Sequence, residues 1–512
     1  MDERADVVVI GAGLGGLAAA VGLAQQGRRV VVLEHHTLPG GYAQGFQRGP
    51  FRFDVSLHAL DALAPGGGGD EVLRRLGIRD LLELRRLDPL YMARFPEHEV
   101  VAAADSYAYE SALIDRFPDQ LAGIRSYFDE VRGLFSDIRR EEVDAHAGRI
   151  GGMDDFVARY PALVRASGET WQQVLDRHIS DARLQGILGA YSAYLGLPPS
   201  RCSALVGLSA TGSYHEYGGW YPRGGSMAIS HALGRVLREA GGDIRFVQTV
   251  DQILVEGGRA VGVRTESGLT VRADVVVSNA SAPATARMVA DHLPEDYLAR
   301  VAEPTPSYST FAVYLGLRRD LFAELGLPHE LMVWPGYDQD DMWDASLVRG
   351  DWSRAGMLIT DYTSVDPGCA PPGWGVVIVT VAAPWDHQDV WGTGGDLDGY
   401  HARHSYLEVK ERVADQLVSL ADHQVPGLVE AIEYREASTP LTNFEYTRNP
   451  RGAIEGYENS VENTGLGWLP NQTPLPGLLL TGAWTNSGGQ VPALTSGLQV
   501  AELVATGATA TA

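Results

Sequence analysis

The run GFQRGPFRFDVSLHAL, residues 45 to 60, puts two arginines (Arg48, Arg52), an acid (Asp54) and an imidazole (His58) into one short, turn-rich stretch. Of these, only the imidazole gives or takes a proton near neutral pH, so His58 is the candidate acid or base. The rest reads as a floor under a bound molecule. Upstream, Gly11, Gly13 and Gly16 stand in GxGxxG spacing, and Glu34 follows 18 residues after Gly16. Such glycines allow a tight turn, a close approach of the backbone to a pyrophosphate, and packing of a helix on a strand; the acid accepts hydrogen bonds from a ribose. The chemistry implied is the holding of a dinucleotide.

Those residues must be positioned by a strand, a turn and a helix in that order. VVVI (7–10) is the β-branched run of a buried parallel strand, LAAAVGLAQQG continues as a helix, and RRVVVLE returns as a second strand ending at Glu34. Gly40 and Gly41 follow closely after the acid. A nicotinamide site needs no second glycine pair there; taken alone the pair reads as an ordinary turn after Pro39, and with the preceding motif it resembles flavoproteins, where an extended cofactor runs on beneath a loop, which favours FAD.

Two distant stretches complete the same half. From Gly218 to Ala280 a Pro-Arg-Gly-Gly turn leads into an amphipathic helix carrying Ile229, Leu233, Val236 and Leu237. Short strands then break at Glu256-Gly257-Gly258 and Glu266-Ser267-Gly268, and DVVVSNA is the return strand. Near the C-terminus, LLLTG is a strand, and a turn ending at Pro492 opens a helix over ALTSGLQVAELV. The N–H groups at that helix start could stabilise negative charge on a reduced flavin by roughly 0.3–2 kcal/mol.

Bulk properties set the bounds. A chain of 512 residues exceeds one simple core, so two or three domains are expected. Its net charge of −24 argues against a nucleic-acid partner and against a polybasic hold on anionic lipid. Cys202 and Cys369 lie far apart with no CxxC, so neither a disulfide framework nor a thiol redox pair is expected, a reducing compartment is the default, and no metal site is expected. The N-terminus does not read as a signal peptide, and no apolar run long enough to span a bilayer occurs. A cytoplasmic protein is expected, with peripheral membrane contact open. Within residues 91–215, Ile124, Phe128, Val131, Leu134, Phe135 and Ile138 recur at helical spacing as one apolar stripe, either packed inside or turned to a membrane or substrate entry.

Taken together, residues 6–58, 218–280, 436–458 and the C-terminal turn resemble the FAD-dependent phytoene desaturase, carotenoid isomerase and retinol saturase superfamily, which is related to the amine oxidases. The run Asp54-Val55-Ser56-Leu57-His58 lacks the glycine-proline pair more often found in carotenoid desaturases and is closer to the isomerase and saturase branch. The resemblance implies an α/β fold in which a Rossmann-type FAD-binding domain (1–90, 216–300, 465–512) is interleaved with an α+β substrate domain (91–215, 301–464). It implies FAD contacts at Gly11, Ala12, Gly13, Gly15 and Gly16, at Glu34, His35, Gly40, Gly41 and Tyr42, at the backbone of Val250, and at Gly482, Ala483, Gly489, Gln490 and Val491.

The substrate implied is an apolar polyene or isoprenoid, desaturated, isomerised or saturated at its carbon–carbon bonds; a polyene or polyketide intermediate is the alternative. His58, Tyr217 and Trp484 are the catalytic candidates, with Tyr446 beside them. Arg52 and Arg223 are expected on flavin or phosphate oxygens, and Trp334, Trp343, Trp352, Trp374 and Trp385 could line a tunnel. An amine oxidase would commonly place a lysine beside the flavin, but the single lysine, Lys410, falls in a helical run where the pattern turns it to solvent. A binding protein of the GDP-dissociation-inhibitor type shares the architecture without flavin chemistry. No second GxGxxG is present for a nicotinamide donor, so reoxidation is expected from oxygen, a quinone, another partner or an internal cycle.

Overall fold

The computed structural model describes residues 2–55, 57–146, 149–385, 389–485 and 488–507. Ser56 of the Asp54–His58 run and residues 486–487 of the C-terminal turn lie outside these. A five-stranded, all-parallel sheet is assembled from three distant parts of the chain, in the order Asp243–Arg245, Val30–Leu33, Val7–Ile10, Val275–Ser278, Leu478–Leu480. Successive side chains of a strand point to opposite faces. Val7 and Val9 therefore join one core with the helices, while Val8 and Ile10 join another with the small mixed sheet Asp2–Arg4, Thr270–Arg272, Arg259–Thr265, Val250–Glu256, in which the first pair is parallel. Burial on both faces explains why the strand is apolar throughout instead of alternating. Each such valine contributes about 1.5–3 kcal/mol.

On the helical face, Leu14–Gln25 packs against Gln490–Thr506 and Ser226–Glu239. The first contact is close because both helices carry glycine at the crossing. A Cβ on Gly497 would lie 2.6 Å from the Cβ of Ala18 and 2.7 Å from the Ala19 nitrogen.

The second layer is a seven-stranded sheet in the order Ile432–Ser438, Ser309–Leu317, Gly375–Ala383, Met357–Asp361, Glu330–Val333, Tyr91–Arg94, Glu99–Ala102. Its parallel pairing of Tyr91–Arg94 with Glu330–Val333 joins two segments more than 200 residues apart in the chain. Helix Leu121–His146 lies among helices Ser106–Arg116, Trp171–His178 and Ala204–Tyr217. Ile124, Phe128, Val131 and Leu134 are buried there, with Phe135 and Ile138 packed at the margin. The stripe is an interior face, so it is not available to a bilayer. Among the described residues no helix is long and apolar enough to cross a membrane.

The 45–54 stretch is a hairpin, Gly45–Arg48 against Phe51–Asp54. Arg48 pairs with Glu436 at 2.8 Å and Arg52 with Asp366 at 2.6 Å. Asp54 is buried and accepts from the backbone nitrogens of Leu57 (3.0 Å) and Ser226 (2.6 Å), the Ser226 hydroxyl (3.0 Å) and the Tyr221 hydroxyl (3.1 Å). It thereby ties the hairpin to the start of the Ser226–Glu239 helix. That helix in turn holds the 43–44 loop, with Ser226 and Ser230 donating to the carbonyls of Gln44 and Ala43.

Candidate functional site

A cavity of about 720 Å³ lies between the two large sheets. The C-terminal ends of the parallel strands open onto it through Ile10, Leu33, Asn279 and Gly482, where ligands of open α/β sheets bind. Gly11, Gly13, Gly15, Glu34, His35, Gly40, Gly41, Tyr42 and Val250 line the same end, with Gly482, Ala483, Gly489 and Gln490 beyond them. Ala12, Gly16 and Val491 stand behind the lining. Gly16 sits under the Gly11 carbonyl, where a Cβ would overlap it, and the Ala12 nitrogen donates to Glu34 Oε2 at 2.7 Å.

Close approach is built in by omission of side chains. Gly11 has φ +88° and Gly41 φ +62°, left-handed conformations that glycine adopts without strain. The space left by Gly13, Gly15 and Gly482 is filled by one residue, Asn279: a Cβ on Gly13 would lie 2.6 Å from its Nδ2, and one on Gly15 2.6 Å from its Oδ1. Asn279 joins the ends of three sequence segments and was not singled out by sequence reasoning. Its only local sign is that it follows the return strand Val275–Ser278 immediately.

Two helix starts face this end. Neither Leu14–Gln25, capped by Gly13, nor Gln490–Thr506, capped by Gly489, has an acid in its first turn, so the positive end of each dipole is left uncancelled. The Gln490 Oε1 is buried and has no hydrogen-bond partner among the described residues. Glu34, 5% exposed, accepts from the Ala12 and His36 nitrogens at 2.7 and 2.8 Å, which holds the carboxylate in one orientation. A glycine cradle, two helix starts, an oriented carboxylate and a buried amide oxygen fit a dinucleotide.

The other end of the cavity is aromatic and apolar, with Tyr194, Tyr214, Tyr308, Tyr362, Trp334 and Trp343 on its wall. His58 is here. Its Nδ1 lies 2.8 Å from the Thr360 hydroxyl and 3.2 Å from Glu330 Oε2, and Thr360 itself donates to Glu330 at 3.0 Å. With the Thr360 proton committed to Glu330, Nδ1 is the donor and Nε2 is left as the ring's basic nitrogen. Trp484 lines the wall and donates through Nε1 to Asn449 at 3.3 Å. Tyr446 is at the exposed rim, 5.2 Å from the His36 ring.

Several expected residues stand elsewhere. Tyr217 does not line the cavity; its hydroxyl accepts from Arg139 at 3.0 Å. Helix Ala204–Tyr217 presents Tyr214 to the cavity, and one turn later its end has passed beyond it. Arg52 and Arg223 are spent on Asp366 and Glu83. Trp334 and Trp343 line the wall, whereas Trp352, Trp374 and Trp385 pack into or against cores. Lys410 is half-buried instead of solvent-facing, and burial lowers its pKa, but it does not reach the cavity.

Sequence reasoning missed one further acid. Glu455 lines the cavity at the level of Ala483 and Trp484, and burial pushes its carboxyl up to about 8, against the Asn459 hydrogen bond that favours the charged form. It stands in the quoted stretch EASTPLTNFEYTRNPRGAIEGYE among other acids, and nothing local marks it as the one turned inward.

A family described as flavin containing amine oxidoreductase matches residues 14–505. The zeta-carotene-forming phytoene desaturase of Myxococcus xanthus is 30% identical to the chain, over 95% of it and 91% of the relative. The all-trans-retinol 13,14-reductase of Macaca fascicularis is 27% identical over 97% of the chain and 85% of the relative. A crystal structure of an oxidoreductase from Methanosarcina mazei has the same fold, with a TM-score of 0.64 at 18% identity over 98% of this chain and 100% of that one. With its glycine cradle, its helix starts and this match along nearly its whole length, the chain belongs to the flavin-containing amine oxidoreductase family, whose cofactor is FAD.

Proposed function

We propose that the protein is an FAD-dependent oxidoreductase that adds or removes hydrogen across a carbon–carbon bond of an apolar polyene or isoprenoid. The observation that carries this reading is the single cavity in which a dinucleotide end continues into an aromatic, apolar end. A bound flavin supplies hydride chemistry; the protein supplies orientation and dryness. Gly11, Gly13, Gly15, Glu34 and Val250 are assigned to the dinucleotide, and Gly482, Ala483, Gly489 and Gln490 to its ring end. Trp484 walls that end. His58, held by Glu330 and Thr360, is a polar point on the aromatic wall and would face the bound substrate.

The two curated relatives named above bear on the same chemistry in opposite directions, one a desaturase and one a reductase. Among the described residues no lysine lines the cavity, which favours a carbon chain over an amine that a neighbouring lysine would help to process.

The test is the visible spectrum of the purified protein under anaerobic conditions with a panel of polyenes, retinoids and amines. The expected result is a flavin spectrum that a polyene or retinoid perturbs: bleaching of the oxidised form for desaturation, or turnover only after chemical reduction for saturation or isomerisation. Bleaching by amines alone would overturn the reading in favour of an amine oxidase.

A further inference from the structure

Besides His58, the cavity carries away from its nucleotide end a carboxyl that nothing above assigns, that of Glu455. Glu455 is anchored from both sides: its own nitrogen donates to the Ser307 hydroxyl at 2.9 Å, and the next carbonyl, of Gly456, accepts from the Ser307 nitrogen at 2.7 Å. Its stem presses on the turn before the Gln490–Thr506 helix. A Cβ on Gly488 would lie 2.8 Å from Glu455 Cγ and would overlap its Cβ, so the missing side chain at Gly488 is what admits Glu455. Among the described residues the carboxylate takes one hydrogen bond, from Asn459 Nδ2 at 2.9 Å, and the same amide donates to the Leu195 carbonyl at 3.3 Å. Asn459 is itself buried, so the acid is held in place by a fixed donor.

No cation faces this acid among the described groups that perturb it. The titratable side chains that feel its charge, Cys202, Tyr214 and Tyr308, belong to three separate segments, and burial raises all of them, so each is neutral at neutral pH. A carboxyl among neutral neighbours keeps its proton. Such an acid, poised near the working pH, is what a proton transfer to carbon requires.

We propose that Glu455 is a catalytic residue that exchanges a proton with the substrate carbon next to the one that exchanges hydride. The assignment rests on the carbon–carbon bond reading above. In the saturating direction the π bond of the alkene breaks and two C–H bonds form. One hydrogen arrives as hydride, with both electrons, from the reduced cofactor, which is thereby oxidised; the other arrives as the proton of the Glu455 O–H, and water reprotonates the carboxylate. In the desaturating direction the Glu455 carboxylate accepts the proton as hydride leaves for the oxidised cofactor. Glu455 lies beside the turn assigned to the flavin ring, whereas the His58 Nδ1 is committed to Thr360 and Glu330.

The experiment compares the FAD-loaded wild type with Glu455→Gln and Glu455→Asp. Infrared difference spectra across a pH titration of the wild type should show a protonated carboxyl at pH 7 that is lost with a midpoint near 8 and is missing in Glu455→Gln. With a polyene or retinoid that the wild type turns over, Glu455→Gln should slow the flavin absorbance change by about 10²–10⁴-fold, with FAD content and melting temperature retained and partial recovery in Glu455→Asp. Equal rates and equal pH profiles in wild type and Glu455→Gln would overturn the assignment and leave the carbon–carbon reading standing. A wild type that acts on amines and on no polyene would overturn that reading and this step with it, while the infrared titration would still show whether Glu455 carries the proton.

Discussion

Glu34 shows how one residue joins sequence to site. Its two oxygens take the Ala12 and His36 nitrogens, so truncating it leaves two backbone donors without their acceptor and removes the group assigned to the ribose. Hydrogen bonds to a charged group are worth about 1.5–3 kcal/mol, so Glu34→Ala should weaken FAD binding by about ten-fold or more, measured by cofactor fluorescence or calorimetry. Unchanged affinity would remove Glu34 from the ribose site. Its position at the strand end was legible because the spacing from Gly16 and the end of Val30–Leu33 are local features. Glu455 was not, because its significance comes from what surrounds it: Gly488, Asn459 and Ser307 reach it from other parts of the chain. Tyr217 fails for the converse reason, since being near the right segment does not set how far a helix end runs past the cavity.

At the scale of elements, the strand, glycine turn and helix of residues 7–25 were readable because each obeys a local rule: β-branched burial, glycine at a left-handed φ, and apolar continuity. The contact between that helix and Gln490–Thr506 was not readable, as it depends on glycines nearly 500 residues apart. Gly497→Val tests it. The new side chain would meet the Gly15 carbonyl and the Ala18 and Ala19 atoms, and overpacking of this kind typically costs about 1–3 kcal/mol. A lower melting temperature with reduced FAD retention is expected in scanning calorimetry, because the helix that would shift also presents Gly489 and Gln490 to the cavity. The stripe of Leu121–His146 teaches a related point: its period announced an apolar face, but three neighbouring helices decided that the face would be interior.

For the whole molecule, the half-buried acid Glu455 links the site to global stability. The folded-state pKa of Glu455 is raised from 4.5 to about 8, so between those values the unfolded chain releases a proton that the folded protein keeps. Its contribution is therefore present below about pH 4.5 and is lost as pH rises through about 8. Wild-type stability relative to Glu455→Gln should fall across that window in denaturant titrations, and a constant difference would show that Glu455 is ionised in the native state. By itself the sequence determined the strands Val7–Ile10 and Val30–Leu33, the dinucleotide turn and the place of Glu34, because these follow from periodicities and spacings within some 60 residues, and four separate stretches together carried the resemblance to the flavin family. Only the tertiary structure decided that Asn279 joins three segments, that Glu455 faces the cavity, that Arg52 and Arg223 are spent on acids, and that the long stripe is interior. Each of those depends on which distant side chain arrives opposite, and a sheet that draws its strands from three remote stretches sets that partnership only on folding.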